Sequence, residues 1–214
     1  MPQPLLFAPL IHKLRRISAT ALLALLAVPL GLESASHAQF TARTLPQSLD
    51  QMTAEAERIV HGYVTSVKVE PHPQLSNLTT VVVTMTVRDV YKGAAQKSLV
   101  FRQYVWDADP RGKAASYGKG QELVLLLGPV SEYGLTSPVG LEQGTFRVSR
   151  DRHGHVSAVN GRGNVGLFKS VADSARARGV QLSARTAAMA ASHQAGPVTL
   201  ADLEDAIRTF ARAR

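Results

Sequence analysis

The sequence predicts a mainly β protein: a small antiparallel barrel with a short helix before it and an amphipathic helix after it. The strongest strand pattern covers residues 79–91, where apolar residues such as Val81 and Val83 alternate with more polar ones, as in a strand with one buried face. Five consecutive apolar residues at 123–127 indicate a strand that is buried on both faces or enclosed in a barrel. Gly154 separates two short strand-like runs and predicts a hairpin tip.

Weaker patterns complete the order of elements in the barrel region. Ser48 is placed to cap a helix at residues 49–58, because a serine at that position can satisfy free backbone N–H groups. Strands are predicted at residues 59–69 and 99–106, which are rich in β-branched and aromatic residues. Gly62 lies inside the first of these strands and predicts a bulge or a close approach of another backbone.

The chain is predicted to divide into five segments. Residues 170–197 are rich in Ala, Ser and Arg with weak periodicity, which predicts a mostly flexible linker that can form some transient helix. Thr199 then caps an amphipathic helix, which is either packed on the barrel or tethered to it. The segments are a signal peptide (1–38), a flexible lead (39–47), the barrel domain (48–169), the linker (170–197) and the C-terminal helix (198–214).

Residues 1–38 have the three parts of a secretory signal peptide. Three basic residues lie between positions 13 and 16, an apolar run covers residues 19–32, and small residues precede the predicted cleavage after Ala38. A membrane anchor is the alternative, but the apolar run is shorter than the roughly 20 residues that span a bilayer. We expect an exported protein, periplasmic or secreted, with no integral membrane span after cleavage.

Composition narrows the possible chemistry. The chain has no cysteine, which excludes disulfides, thiolate catalysis and cysteine-ligated metals. Its formal net charge is +8, and the first 38 residues hold three of the 24 basic and one of the 16 acidic residues, so the rest carries +6. This moderate positive charge favours anionic partners.

A glycine motif superficially suggests nucleotide binding. Gly161, Gly163 and Gly166 reproduce the spacing of the dinucleotide-binding fingerprint. That fingerprint also requires a strand before it, a helix after it and a second parallel strand, and no such strand is predicted here. We interpret the segment as a glycine-rich loop and expect no nucleotide and no other cofactor.

Two further motifs begin like metal sites. The segment from Asp107 starts like a calcium loop, but Arg111 occupies a ligand position and the closing carboxylate is missing. His153 and His155 lie at the hairpin tip without an evident full set of ligands. His61 is interpreted as an ordinary residue at a helix–strand boundary. No metal site is predicted.

Catalytic signatures are missing as well. The sequence has neither a Gly-x-Ser-x-Gly elbow nor a His-Glu-x-x-His helix. No spacing of serines, histidines and acids singles out a nucleophile with its base. The sequence therefore predicts a protein that is not an enzyme, with an enzyme whose site is built from loops as the alternative.

Seven residues form the candidate partner-binding set. Arg102, Tyr104 and Trp106 alternate along one predicted strand and form an aromatic–basic face that suits stacking on a sugar or a base. The alternative is that this face simply covers the core. The remaining candidates lie in the polar loop 107–120 and at the tip 150–155. They are Arg111 and Lys113 in the loop, and Arg152 and His153 at the tip.

Four segments together resemble a known group of proteins. They are AERIVHGYV (56–64), TMTVRDVYKG (84–93), GQELVLLL (120–127) and GLEQGTFRV (140–148). In this order they resemble uncharacterised exported bacterial proteins with an OB-like barrel, an architecture shared by netrin-like and metalloprotease-inhibitor domains. Such inhibitors chelate the catalytic zinc with an N-terminal cysteine, which this chain does not have.

Together these features predict an exported, non-catalytic binding module of the cell envelope. Its expected partner is an envelope protein or an anionic polymer, contacted by the loop 107–120 and the tip 150–155. A regulator or inhibitor of an exported peptidase is the first alternative, and an enzyme with a loop-built site is the second.

Overall fold

The computed structural model describes residues 45–105 and 117–212. The predicted signal peptide and most of the loop 107–120 lie outside the described residues. The elements, in chain order, are α1 (Leu49–Glu55), β1 (Arg58–Pro71), β2 (Thr79–Lys92), β3 (Ser98–Tyr104), β4 (Glu122–Leu127), a 3₁₀ turn (Leu141–Gly144), β5 (Thr145–Arg150), β6 (Val156–Asn160), α2 (Val171–Ala177), α3 (Ala184–Ser192), β7 (Val198–Thr199) and α4 (Leu200–Arg212).

The predicted mainly antiparallel β architecture is confirmed. Within the described ranges the strands form one antiparallel sheet in the order β3-β2-β1-β4-β5-β6-β7. The long strands β1 and β2 pair along most of their length, from Ile59–Lys92 to Pro71–Thr79. The hairpin of β5 and β6 also forms as predicted.

The predicted closure into an OB-like barrel is not confirmed. The sheet is open, with β3 and β7 at its edges. Instead of a closing strand, the loop after β4 makes isolated bridges, one between Leu135 and Arg102 of β3 and one between Pro138 and Leu127 of β4. Proline has no backbone N–H to donate, so this loop cannot form a continuous ladder through that position.

The predicted two-sided burial of residues 123–127 is confirmed, because β4 separates two apolar clusters. Val124 and Leu126 face a cluster formed with the helices and β5. This cluster includes Leu49, Phe146 and Ile207. Leu123, Leu125 and Leu127 face a second cluster, formed with β1, β2 and β3. Alternate side chains of a strand point to opposite faces of the sheet, so each cluster receives every second residue.

The first helix begins where the sequence predicts and ends earlier. Its N-cap is Ser48, whose backbone N–H donates to Gln51 Oε1 at 3.0 Å. The helix ends at Glu55, and β1 starts at Arg58, within the stretch predicted to be helical. The backbone here extends into pairing with β4, where Arg58 lies opposite Leu127.

Residues 170–197, predicted to be a mostly flexible linker with some transient helix, contain two short helices, α2 and α3. Val171, Ala175 and Thr186 are buried there. Small Ala and Ser side chains give weak hydrophobic periodicity, yet they allow close helix packing. The C-terminal helix α4 is packed back on the sheet, with Leu203 and its neighbours in the core.

The N-terminus of α3 also connects it to α4. Ser183 Oγ accepts from the Thr186 backbone N–H at 3.0 Å and donates to the Asp205 carboxylate. Thr186 Oγ1 donates to the same carboxylate oxygen at 2.7 Å. One capping residue therefore begins α3 and also links it to α4.

We expect Ser183→Ala to lower the free energy of unfolding by about 1 kcal/mol, because the variant loses a helix cap and a hydrogen bond to a carboxylate. Urea denaturation followed by circular dichroism measures the change. Ser192→Ala in the last turn of α3 is the matched control, since Ser192 is exposed and bonds only within its helix. Equal losses in the two variants would contradict the linking role of Ser183.

Candidate functional site

A pocket of about 500 Å³ lies where the sheet meets α4. The residues that line it include His61 of β1, Asp89 of β2, Glu122 of β4 and Glu204 of α4. Antiparallel pairing places His61 opposite Asp89 on one side and opposite Val124 on the other. Glu122 is two residues from Val124 and therefore lies on the same face of the sheet.

The His61 ring is buried, with 1% of the side chain exposed, and is surrounded by three carboxylates. Its Nε2 lies 2.9 Å from Glu122 Oε1. Since an ionised carboxylate only accepts hydrogen bonds, Nε2 carries the proton and donates it. The other nitrogen, Nδ1, lies 3.5 Å from Asp89 Oδ2 and 3.4 Å from Glu204 Oε1. It has no hydrogen-bond partner among the described residues.

Tyr91 and Arg208 hold Glu204 in place from the other side. The Tyr91 hydroxyl donates to Glu204 Oε1 at 2.7 Å. Burial, and then this bond to a carboxylate, raise the pKa of Tyr91 well above its ordinary value, so the hydroxyl stays a donor. The Arg208 guanidinium lies 4.9 Å from the centre of the Tyr91 ring and 3.4 Å from Glu204 Oε2. Glu204 therefore presents Oε1 towards His61 in a fixed orientation.

Three arginines line the pocket alongside its three carboxylates. They are Arg88 of β2, Arg150 of β5 and Arg208 of α4, and we call them, together with His155, the basic rim. Arg88 is 59% exposed and lies 4.0 Å from both Asp89 and Glu122. Three guanidinium groups from three separate elements therefore surround one opening.

Asp151 shapes the hairpin tip beside this rim. Its Oδ1 accepts from the backbone N–H groups of His153 and His155 at 2.8 and 2.9 Å, and its Oδ2 lies 2.9 Å from His155 Nδ1. The pKa of Asp151 is lowered, mainly by its side-chain hydrogen bond to His155. The tip is thus a defined turn that positions His155 at the pocket.

Four of the seven sequence-predicted partner-binding residues lie within the described ranges, and these four lie at two separate places. Arg102 is 19% exposed, lies 2.6 Å from Glu70 Oε1 and donates to Thr80 Oγ1, so it links three strands. Tyr104 ends β3 and is half-buried. Trp106, Arg111 and Lys113 lie outside the described residues.

Arg152 and His153 lie exposed at the hairpin tip, as predicted. Their hairpin borders the pocket through its neighbouring residues Arg150 and His155. In the order of the sheet, three strands separate β3, which carries Arg102, from β5. The structure therefore brings the tip to the pocket and leaves the aromatic–basic strand elsewhere.

His61, Asp89, Glu122 and Glu204 were not predicted from the sequence as site residues. His61 was interpreted as a boundary residue, whereas it lies buried within β1. A signal was present, because a histidine between apolar residues of a buried strand needs polar partners inside the protein. Its partner Glu204 lies beyond the segment that was predicted to be a flexible linker.

Comparison of the chain with protein-family models, with curated proteins and with solved structures finds no match. Within residues 45–105 and 117–212, no helix has the length and apolar character needed to cross a membrane.

Proposed function

We propose that the protein is an exported, non-catalytic binding module of the cell envelope, and that it binds an anionic polymer at the basic rim of its pocket. The observation that carries the proposal is the convergence of Arg88, Arg150 and Arg208 around one opening. Guanidinium groups pair with carboxylate and phosphate groups through two parallel hydrogen bonds. The same proposal includes the export of the protein and its resemblance to exported proteins with an OB-like barrel.

The arrangement of the rim suits a polymer with repeated negative charges. Arg152 and His153 continue the basic surface from the rim onto the exposed hairpin tip. A net charge of +6 after the predicted signal peptide adds long-range attraction. Such contacts weaken as salt screens them, and binding should therefore fall steeply with ionic strength.

The test is the affinity of the purified protein for dextran sulfate, with uncharged dextran as the ligand control. We expect Arg150→Gln to weaken binding about threefold, since an exposed ion pair contributes about 0.2–1 kcal/mol. The double variant Arg88→Gln, Arg150→Gln should lose about tenfold if the two losses add. Isothermal titration calorimetry at two salt concentrations measures both effects.

Arg176→Gln is the charge-matched control for this experiment. Arg176 is 79% exposed on α2 and pairs with Asp173, and it does not line the pocket. Its replacement should leave the affinity unchanged within error. Equal losses from Arg150→Gln and Arg176→Gln, or equal binding of uncharged dextran, would refute the rim as the binding site.

A further inference from the structure

We propose that His61, Asp89 and Glu204 form a binding site for a divalent first-row transition metal ion, with Zn²⁺ as its representative. The ligand atoms would be His61 Nδ1, Asp89 Oδ2 and Glu204 Oε1, which all lie within 4.8 Å of one another. This site lies in the same pocket as the basic rim, but its test does not depend on polymer binding.

The state of the His61 ring is the first reason for this proposal. Its Nε2 is engaged by Glu122, whereas the buried Nδ1 faces two carboxylate oxygens and has no hydrogen-bond partner among the described residues. A buried polar atom without a partner is unfavourable. A cation placed between the three ligand atoms would give each of them a partner.

The distances from His61 Nδ1 to the two carboxylate oxygens also indicate a metal ion. A charge-assisted N–H···O bond is about 2.7–2.9 Å long, as it is between Nε2 and Glu122. The Nδ1 atom lies farther from its two carboxylates, at 3.4 and 3.5 Å. Ligand atoms bound tetrahedrally at about 2.0–2.1 Å from Zn²⁺ are separated by about 3.3 Å. The spacing on the Nδ1 side fits a shared metal ion better than a shared proton.

The groups around the three ligand atoms support the same conclusion. Metal-binding histidines commonly donate their second ring nitrogen to a carboxylate, as His61 does to Glu122. Tyr91 orients the ligand oxygen of Glu204 by its hydrogen bond. Arg208 contacts the other oxygen, Oε2. The Nε atom of the exposed Arg88 lies 4.0 Å from Asp89 Oδ2, which is beyond hydrogen-bond distance.

The donor set indicates the class of metal. One imidazole nitrogen with two carboxylate oxygens suits Zn²⁺, Mn²⁺ or Fe²⁺, whereas Ca²⁺ prefers oxygen ligands alone. Three protein ligands leave at least one coordination position that faces the pocket. That position would hold water or an oxygen atom of a bound ligand.

The experiment is a calorimetric titration of ZnCl₂ into the purified protein after dialysis against a chelator. We expect one Zn²⁺ per chain, and an affinity that falls at least about tenfold in Asp89→Asn and in Glu204→Gln, as losses around metal sites commonly do. Asp173→Asn is the matched control, because it alters an exposed aspartate that pairs with Arg176 and does not line the pocket, and it should keep the parent affinity.

A second readout keeps the test independent of folding defects. Zn²⁺ should raise the thermal unfolding temperature of the parent and of Asp173→Asn, because a ligand that binds the folded state stabilises it. The rise in unfolding temperature should be much smaller for Asp89→Asn, which changes a partly exposed residue. Absence of stoichiometric binding to the parent, or equal affinity in Asp89→Asn and the parent, would overturn the proposal.

Discussion

Replacement of Asn164 by alanine is expected to lower the free energy of unfolding by about 3 kcal/mol. Asn164 is fully buried and has a left-handed backbone with φ of 56°. Its Nδ2 donates to the carbonyl oxygens of Ala158 and Gly196 at 3.0 and 2.9 Å, and its Oδ1 accepts from the Asn160 N–H at 2.9 Å. Each buried bond contributes about 1 kcal/mol, and its loss leaves a backbone group unpaired.

Urea denaturation measures this loss, and Asn164→Gly separates its two causes. Glycine adopts the left-handed backbone without strain but removes the same three hydrogen bonds, so it should recover less than half of the loss. Asn77→Ala is the control at an exposed turn, where we expect a change within about 0.5 kcal/mol. Full stability of Asn164→Gly would show that the side-chain bonds contribute nothing.

The role of Asn164 also explains the glycine-rich motif around it. In the structure, residues 161–170 form consecutive turns, and Asn160 and Asn164 bond reciprocally across the first of them. The strands on either side of the motif are antiparallel. The sequence supported a loop here because a parallel crossover was missing, but the asparagine pair was visible only in the structure.

Local patterns made most of the strands predictable. Apolar and more polar residues alternate over most of residues 81–88, and the observed strand differs from the prediction by a single residue at its end. The apolar run at 123–127 also indicated correctly that both of its faces are buried. Both signals are carried by adjacent residues, whose side chains reach opposite faces of the sheet.

Features that depend on distant contacts were not predictable. The helices at residues 171–192 contain mostly small side chains, and their packing against α4 gives them order that their own periodicity does not indicate. The open edge of the sheet depends on where the loop after β4 lies. The pocket needs β1, β2, β4 and α4 together, so no single segment carried its signal.

Gly62, in contrast, carried a correct signal, because the predicted close backbone approach is observed. A Cβ atom at Gly62 would lie 2.1 Å from the carbonyl oxygen of Thr86 on β2, and the register of the two strands shifts between His61 and Gly62. That oxygen belongs to the backbone, so contact cannot be relieved by a rotamer change. Either β1 and β2 separate locally, or the neighbouring pairs lose register.

We therefore expect Gly62→Ala to lower the free energy of unfolding by about 3 kcal/mol, the upper part of the usual range for overpacking. The same displacement would move His61 relative to Asp89, so Zn²⁺ affinity should fall as well. Gly128→Ala is the matched control, because its Cβ would meet the Ser137 carbonyl oxygen at an ordinary 3.5 Å. Chemical denaturation of both variants measures the effect on stability, and Zn²⁺ titration measures the effect on the metal site. If stability falls and Zn²⁺ affinity is unchanged, the strand contact is confirmed and the dependence of the site on strand register is refuted.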